Sequence, residues 1–148
     1  MNKQYIVIDL DTTIADNTHR EHHVKDGKNE WNAFFEKMID DAVYPCVNAV
    51  VQSMHKSGYG IIVLTARHVR YRMYTVSWLL KNDIPYDRVI MKDTTPNQER
   101  APYFKLRALE TLKAEGYNIL FCLEDQKNVT ELLRLNGHTV FNVRDSHE

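Results

Sequence analysis

The run Tyr5-Ile6-Val7-Ile8 is apolar and mostly β-branched, with no alternation of polar and apolar residues. A half-exposed strand would alternate, so this run suits a strand buried on both faces, as in a parallel sheet. Comparable strand signals recur at Tyr59–Leu64, Arg88–Met91, Asn118–Leu123 and Thr139–Val143. Helical patterns fall between them. Trp31–Asp41 places Trp31, Phe34, Phe35, Met38 and Ile39 at helical spacing and predicts a short amphipathic helix. Pro45 opens a second helix with Val47, Val50, Val51 and Met54 inward and Gly58 as its end. Further helices are expected over Val69–Lys81, Pro102–Glu115 and Val129–Leu135, with a polar loop at Thr94–Ala101. Strand alternating with helix predicts an α/β fold: a Rossmann-like parallel sheet covered by helices on both faces.

At 148 residues the chain suits a single domain, 1–148, with a sizeable core. A net charge of −1 excludes a global basic field of the kind that drives non-specific nucleic-acid binding, so any contact with a polyanion must be local. Cys46 and Cys122 lie in apolar surroundings without metal-ligand spacing, which suggests two buried thiols in a reducing compartment. The N-terminal apolar run is too short for a signal peptide and breaks at Asp9. No segment reaches the roughly 20 apolar residues of a membrane span. A cytoplasmic protein with no membrane partner is the expectation.

The strand ends carry the chemistry. Tyr5–Ile8 finishes in Asp9 and Asp11, Tyr59–Leu64 in Thr65 and Arg67, and Asn118–Leu123 in Glu124 and Asp125. In a parallel sheet these ends share one edge, where α/β folds bind their ligands. Taken by themselves, Asp9 and Asp11 also suit a helix cap or an Asx-turn. Carboxylates gathered at one edge repel one another unless a cation joins them. Oxygen ligands without His or Cys suit a hard ion, Mg²⁺ above all, which favours a substrate phosphate in its shell. A carboxylate can also act as a nucleophile toward phosphorus, with a second one as acid and base.

Four segments, in order, resemble the motifs of the haloacid dehalogenase superfamily. They are Asp9-Leu10-Asp11-Thr12-Thr13, Leu64-Thr65-Ala66-Arg67, Lys105 on the helix before the fourth strand, and Leu123-Glu124-Asp125. The resemblance implies the superfamily's fold and a Mg²⁺-dependent phosphomonoesterase working through an aspartyl-phosphate. Asp9 would be nucleophile and metal ligand. Asp11 would be the acid/base, with its main-chain carbonyl on the metal. Thr65 would bind the transferring phosphoryl group, and Lys105 would neutralise it. Asp125 and Glu124 would complete the metal shell. Many members of the superfamily have glycine where this chain has Thr12. A β-branched residue disfavours positive φ, so the turn is expected to differ from theirs or to be compatible with negative φ.

His19-Arg20, Trp31–Phe35, Thr65-Ala66-Arg67, Tyr71-Arg72-Met73 and Trp78 together look like the phosphatase half of phage-type polynucleotide kinase. That likeness implies removal of 3′-phosphates from DNA or RNA ends. It assigns Arg20 and Arg67, with Thr12 and Thr13 of the first turn, to the substrate. No G-x-x-x-x-G-K-[ST] kinase motif occurs, which implies a stand-alone phosphatase. The insertion at about 16–44 is small for a cap and leaves the crevice open to a nucleic-acid end.

Several residues also carry simpler readings. His19, His22 and His23 lack zinc spacing and read as loop residues near the mouth. Trp31, Phe34 and Phe35 could stack a base, though helical spacing favours core or cap packing. Arg70 reads as a solvated helix start, and Lys92 and Arg100 as weaker phosphate contacts. Two other functions stand beside end repair: a free (deoxy)nucleotide monophosphatase, and a nucleotide- or nucleic-acid-binding module without turnover.

Overall fold

The computed structural model describes residues 2–93 and 99–146. Five parallel strands form the main sheet: β1 (Gln4–Ile8), β4 (Gly60–His68), β5 (Arg88–Lys92), β6 (Asn118–Gln126) and β7 (Val140–Ser146). Their spatial order is β5-β4-β1-β6-β7. The chain therefore steps outward from β1 on one side, then returns to build on the other. That reversal places a topological switch point at the carboxyl end of β1, where α/β sheets open a crevice.

Alternation within each strand sends residues to two separate cores. Ile6, Ile8, Ile61, Val63, Phe121 and Leu123 pack on one face with Val47 and Val51 of α2 (Pro45–Lys56) and Trp78 and Leu79 of α3 (Arg72–Lys81). Val7, Ile62, Leu64 and Cys122 pack on the other with Phe104, Ala108, Leu109 and Leu112 of α4 (Ala101–Ala114) and Val129 and Leu133 of α5 (Lys127–Leu135). Both faces are thus consumed, which is why the runs read as continuously apolar. Pro45 and Pro102 sit in the first turns of α2 and α4, where a missing N–H costs nothing.

A second, two-stranded antiparallel sheet pairs β2 (Ala15–Asp16) with β3 (Ala42–Val43). It closes the neck of an excursion that contains a 3-10 segment (Thr18–His23), the helix α1 (Trp31–Glu36) and a second 3-10 segment (Lys37–Asp40).

The structure corrects several expectations. The helix expected over Trp31–Asp41 is α1 followed by a 3-10 turn, and only Met38 among its predicted apolar residues is buried. Val50 points outward at 41% exposure, because Val47 and Val51 already fill the inward stripe of α2. Cys46 is exposed beside Pro45 at the start of α2, and only Cys122 is a buried thiol. The helix expected from Val69 starts as a 3-10 turn, Val69–Tyr71, before α3. β4 and β6 run past Leu64 and Leu123 to His68 and Gln126, so their polar groups lie within the strands. The ladder register shifts between Thr65 and His68 and between Glu124 and Gln126. Such bulges re-aim side chains next to sites. The loop expected at Thr94–Ala101 falls largely outside the described residues.

Candidate active site

β1 ends at Ile8, and the next residues fold into a tight turn. The amides of Thr13, Ile14 and Ala15 all donate to the Leu10 carbonyl, at 3.1, 3.0 and 2.9 Å. The Thr12 amide donates to the Ala15 carbonyl at 2.8 Å. Closing this turn requires φ of 66° at Thr12, so the turn keeps the left-handed conformation that glycine would favour. The expectation of a turn compatible with negative φ is overturned. Three hydrogen bonds on one carbonyl hold a β-branched residue where its own sterics oppose it.

The turn folds Thr13 back under Asp9. Thr13 Oγ1 lies 2.8 Å from Asp9 Oδ2 and 2.9 Å from Asp125 Oδ1. One hydroxyl proton is thereby shared between two carboxylates. Thr13 is fully buried, so its side chain braces the acidic cluster from below. Lys105 enters from α4, where Phe104, Ala108 and Leu109 hold the helix on the sheet. Its ammonium donates to Asp9 Oδ1 at 2.8 Å and to Glu124 Oε2 at 2.7 Å. Glu124 Oε1 accepts the backbone N–H groups of Asp125 and Gln126 at 3.2 and 3.3 Å.

Asp9, Glu124 and Asp125 are all buried and offer carboxylate oxygens within 4.8 Å of one another. Among the described residues this is the one His/Cys/Asp/Glu group close enough to hold a metal ion. His19, His22 and His23 form no such group. Three carboxylates face a single lysine. Burial and the neighbouring Asp125 push the Asp9 carboxyl up to about 7, against the pull of Lys105. Burial and Asp9 likewise raise Glu124. Burial alone would lower Lys105, but Asp9 and Glu124 outweigh it and keep the ammonium charged. An all-oxygen donor set with this excess of buried negative charge fits a hard divalent cation.

Asp11 belongs to a different network. Arg67 holds it with two bonds, Nε to Oδ2 at 2.9 Å and Nη2 to Oδ1 at 2.8 Å. Arg20 Nη2 adds a third, to Oδ1 at 2.8 Å. Burial would raise the Asp11 carboxyl, yet Arg67 and then Arg20 hold it down at about 2. Both arginines are buried, Arg20 at 1% and Arg67 at 5% exposure. Arg20 donates to Asp41 from Nε and Nη2 at 2.8 and 2.9 Å and to the Phe34 carbonyl at 3.1 Å. Arg67 Nη1 bonds Thr75 Oγ1 at 3.1 Å and Met38 Sδ at 3.3 Å. His19 Nε2 sits 2.8 Å from Asp41 Oδ1, and Trp78 Nε1 donates to the Asp41 carbonyl at 2.8 Å.

A cavity of about 470 Å³ opens above these groups. Asp9, Asp11, Thr65, Arg67 and Lys105 line it, and so do Phe35, His68, Arg70, Tyr71, Lys92 and Gln126. Thr12, Thr13, Arg20, Glu124 and Asp125 are not among its lining residues, and Arg100 lines a separate groove. Sequence reasoning missed Asp41, because an acid at the end of a polar-faced helix reads as solvated. It undervalued Arg70, which lies on the cavity. Lys92 Nζ bonds the Glu99 carbonyl.

Residues 3–147 match the family model of the polynucleotide kinase PNKP phosphatase domain. Among solved structures, the chain is similar to one in the Pnkp1/Rnl/Hen1 RNA repair complex, with 25% identity and a TM-score of 0.76. That alignment covers 99% of this chain and 44% of the other, so this chain spans less than half of that relative. The class C acid phosphatase from Bacillus anthracis shares the fold at 17% identity and a TM-score of 0.72, over 97% of this chain and 66% of the other. A haloacid dehalogenase-like hydrolase from Streptococcus pneumoniae does so at 14% identity and 0.68, over 95% and 84%. No curated protein sequence matches the chain.

Proposed function

Because the chain belongs to the polynucleotide kinase PNKP phosphatase domain family of the haloacid dehalogenase superfamily, we propose that it is a phosphomonoesterase that removes 3′-phosphates from DNA or RNA ends. The observation that carries this reading is the position of Asp9. Its carboxylate lines the cavity, is held by Lys105 at 2.8 Å, and adjoins the buried Glu124 and Asp125.

In the first step a carboxylate oxygen of Asp9 forms a bond to phosphorus, and the bond from phosphorus to the sugar 3′ oxygen breaks. Asp11 gives a proton to the leaving alkoxide. In the second step Asp11 takes a proton from water as that water attacks phosphorus, which releases inorganic phosphate and restores Asp9. Lys105 fixes Asp9 and offsets the charge of the phosphoryl oxygens, and Thr65 offers its hydroxyl to one of them. Asp9, Asp125 and Glu124 would hold Mg²⁺, which when bound supplies the positive charge that keeps Asp9 ionised and offsets the phosphate.

Asp11 cannot serve as an acid while two guanidinium groups keep it ionised. Arg67 lines the cavity, so an incoming phosphate dianion competes with Asp11 for its N–H groups. As Arg67 turns to the phosphate, the proton affinity of Asp11 rises toward the useful range. Arg20 stays with Asp41 and keeps Asp11 in place. In this reading Arg67 contacts substrate and Arg20 acts through Asp11.

The test is phosphate release from a 3′-phosphorylated oligonucleotide, a 5′-phosphorylated one, and free 3′- and 5′-nucleotides, in Mg²⁺ or with chelator. Preferential release from the 3′-phosphorylated oligonucleotide, abolished by chelator and by Asp9→Asn, is expected. Preference for free nucleotides would replace end repair by nucleotide hydrolysis. No release from any substrate would leave only a binding role.

A further inference from the structure

The helix α1 carries Trp31, Phe34 and Phe35 within six residues, and none of its residues is buried. Trp31 is 49% exposed. Phe34 and Phe35 are half-buried, so Trp31 is the aromatic whose large apolar area stays in water. Here the rings are arranged in a line. Phe35 stacks on Tyr71 with centroids 4.2 Å apart and planes at 21°. Trp31 follows Phe35 at 6.1 Å and 26°. Phe34 stands edge-on to both, at 5.9 Å from Trp31 and 5.2 Å from Phe35, and lies 4.3 Å under the Arg20 guanidinium. Phe35 and Tyr71 line the catalytic cavity and Trp31 does not. The near-parallel rings therefore run from the cavity wall outward to solvent.

Cations accompany them. Arg70 lines the same cavity, is exposed, and holds its guanidinium 5.0 Å from the Tyr71 ring centroid. It makes no ion pair among the described residues. An exposed ring backed by two stacked ones, beside a cation without an ion pair among the described residues and next to the catalytic cavity, is the kind of surface that single-stranded nucleic acid uses. The net charge of −1 removes any long-range attraction, so affinity has to come from contacts close to the chain end.

We propose that Trp31, backed by the stacked rings of Phe35 and Tyr71, forms a base-stacking platform for a single-stranded 3′ end. The preceding base stacks on the exposed Trp31, the terminal nucleotide passes the edges of Phe35 and Tyr71, whose faces are stacked on each other, and Arg70 meets the phosphodiester between the two nucleotides. This inference rests on the proposed phosphatase reading and adds its substrate form: unpaired ends at least two nucleotides long, with little base preference. Stacking tolerates every base because each presents a π-face.

The chain has two tryptophans, and Trp78 is fully buried, so fluorescence quenching by a ligand reports on Trp31. A 3′-hydroxyl trinucleotide should quench that emission in the wild type, and Trp31→Phe should remove the quench while keeping the Trp78 signal. In steady-state assays on 3′-phosphorylated mono-, di- and trinucleotides, the wild-type kcat/KM should rise with length. Trp31→Ala should flatten that rise, with a loss of roughly tenfold on the trinucleotide that falls in KM rather than kcat. Trp31→Phe should recover most of it. An unchanged length dependence in Trp31→Ala, or no quench by the trinucleotide, overturns the platform. Quenching without turnover would retain the platform and sink the phosphatase reading. Turnover of the trinucleotide without quenching would do the reverse.

Discussion

Thr12 holds φ at 66°, a conformation that costs a β-branched residue on the order of 1–3 kcal/mol. The price is met by the turn that brings Thr13 under Asp9 and Asp125. Thr12→Gly should relieve it, less the entropy that glycine loses on folding, for a net gain of about 1 kcal/mol in thermal or urea unfolding. A destabilised variant would mean that the Thr12 side chain holds the turn through contacts worth more than its strain. Asp41 presents the opposite case. It is buried and carries the only carboxylate, apart from that of Asp11, bonded to the fully buried Arg20 among the described residues. Asp41→Asn keeps the shape but removes the counter-charge, and should cost about 2–4 kcal/mol in urea unfolding. A loss below about 1 kcal/mol would show that Asp11 alone can neutralise Arg20.

At the level of elements, β1 and β4 meet where Tyr5 faces Gly60 in register. A Cβ on Gly60 would stand 2.2 Å from Tyr5 Cδ1. The Tyr5 ring is held on one side by an edge-on contact with Tyr117, centroids 4.9 Å apart. Gly60 is therefore the gap in β4 that lets an aromatic ring lie across the central strand pair. Gly60→Ala should cost about 1–3 kcal/mol through overpacking, read as a lower unfolding midpoint with unchanged slope. An unaltered midpoint would show that the Tyr5 ring moves freely. The extension of β4 and β6 through Thr65–His68 and Glu124–Gln126 is an element-scale feature too. Polar residues at a strand's end look like its termination in sequence, whereas ladder bonds from β5 and β7 continue it.

For the molecule as a whole, the two carboxylate networks impose opposite pH dependences. Asp9 is raised from the ordinary 3.8 to about 7, so the folded state takes its proton more readily than the unfolded chain. Its contribution to stability is complete below 3.8 and is lost as pH climbs through about 7. Asp11 is lowered to about 2, so its contribution is complete above 3.8 and is lost as pH falls through about 2. With chelator present, Tm should therefore fall on both sides of a mildly acidic maximum. Mg²⁺ should lift the alkaline limb by about 5 °C or more at pH 8 and leave the acid limb unchanged, as a melting series across pH would read. Equal Tm values with and without Mg²⁺ at pH 8 would argue against metal at Asp9, Glu124 and Asp125.

Much of this architecture was legible in the sequence for a simple reason. Strands buried on both faces cannot alternate, and the polar groups that follow them have to share an edge. Asp9, Thr65, Lys105, Glu124 and Asp125 were placed by that logic and by the family's motifs. Asp41 was not, because its burial depends on Arg20, 21 residues earlier and across the excursion. Helical spacing reports which of the α1 aromatics share a face, not how far that face is covered, and these rings pack on one another and against Tyr71 and Arg20 rather than into the main cores. The positive φ of Thr12 was misjudged because local preference yields to three hydrogen bonds on one carbonyl.

The two-residue ribbon of β2 and β3 brings the ends of the excursion together, so in outline the segment between them is an exchangeable module. Its contents argue otherwise. Arg20 and Asp41 both come from it, and Arg20, held by Asp41, adds to the two bonds of Arg67 in seating Asp11 on the far side of the neck. A foreign lid grafted at the ribbon would alter what enters the cavity and would also remove the Arg20 bond to Asp11. Access to the cavity and the setting of Asp11 are therefore carried by the same segment.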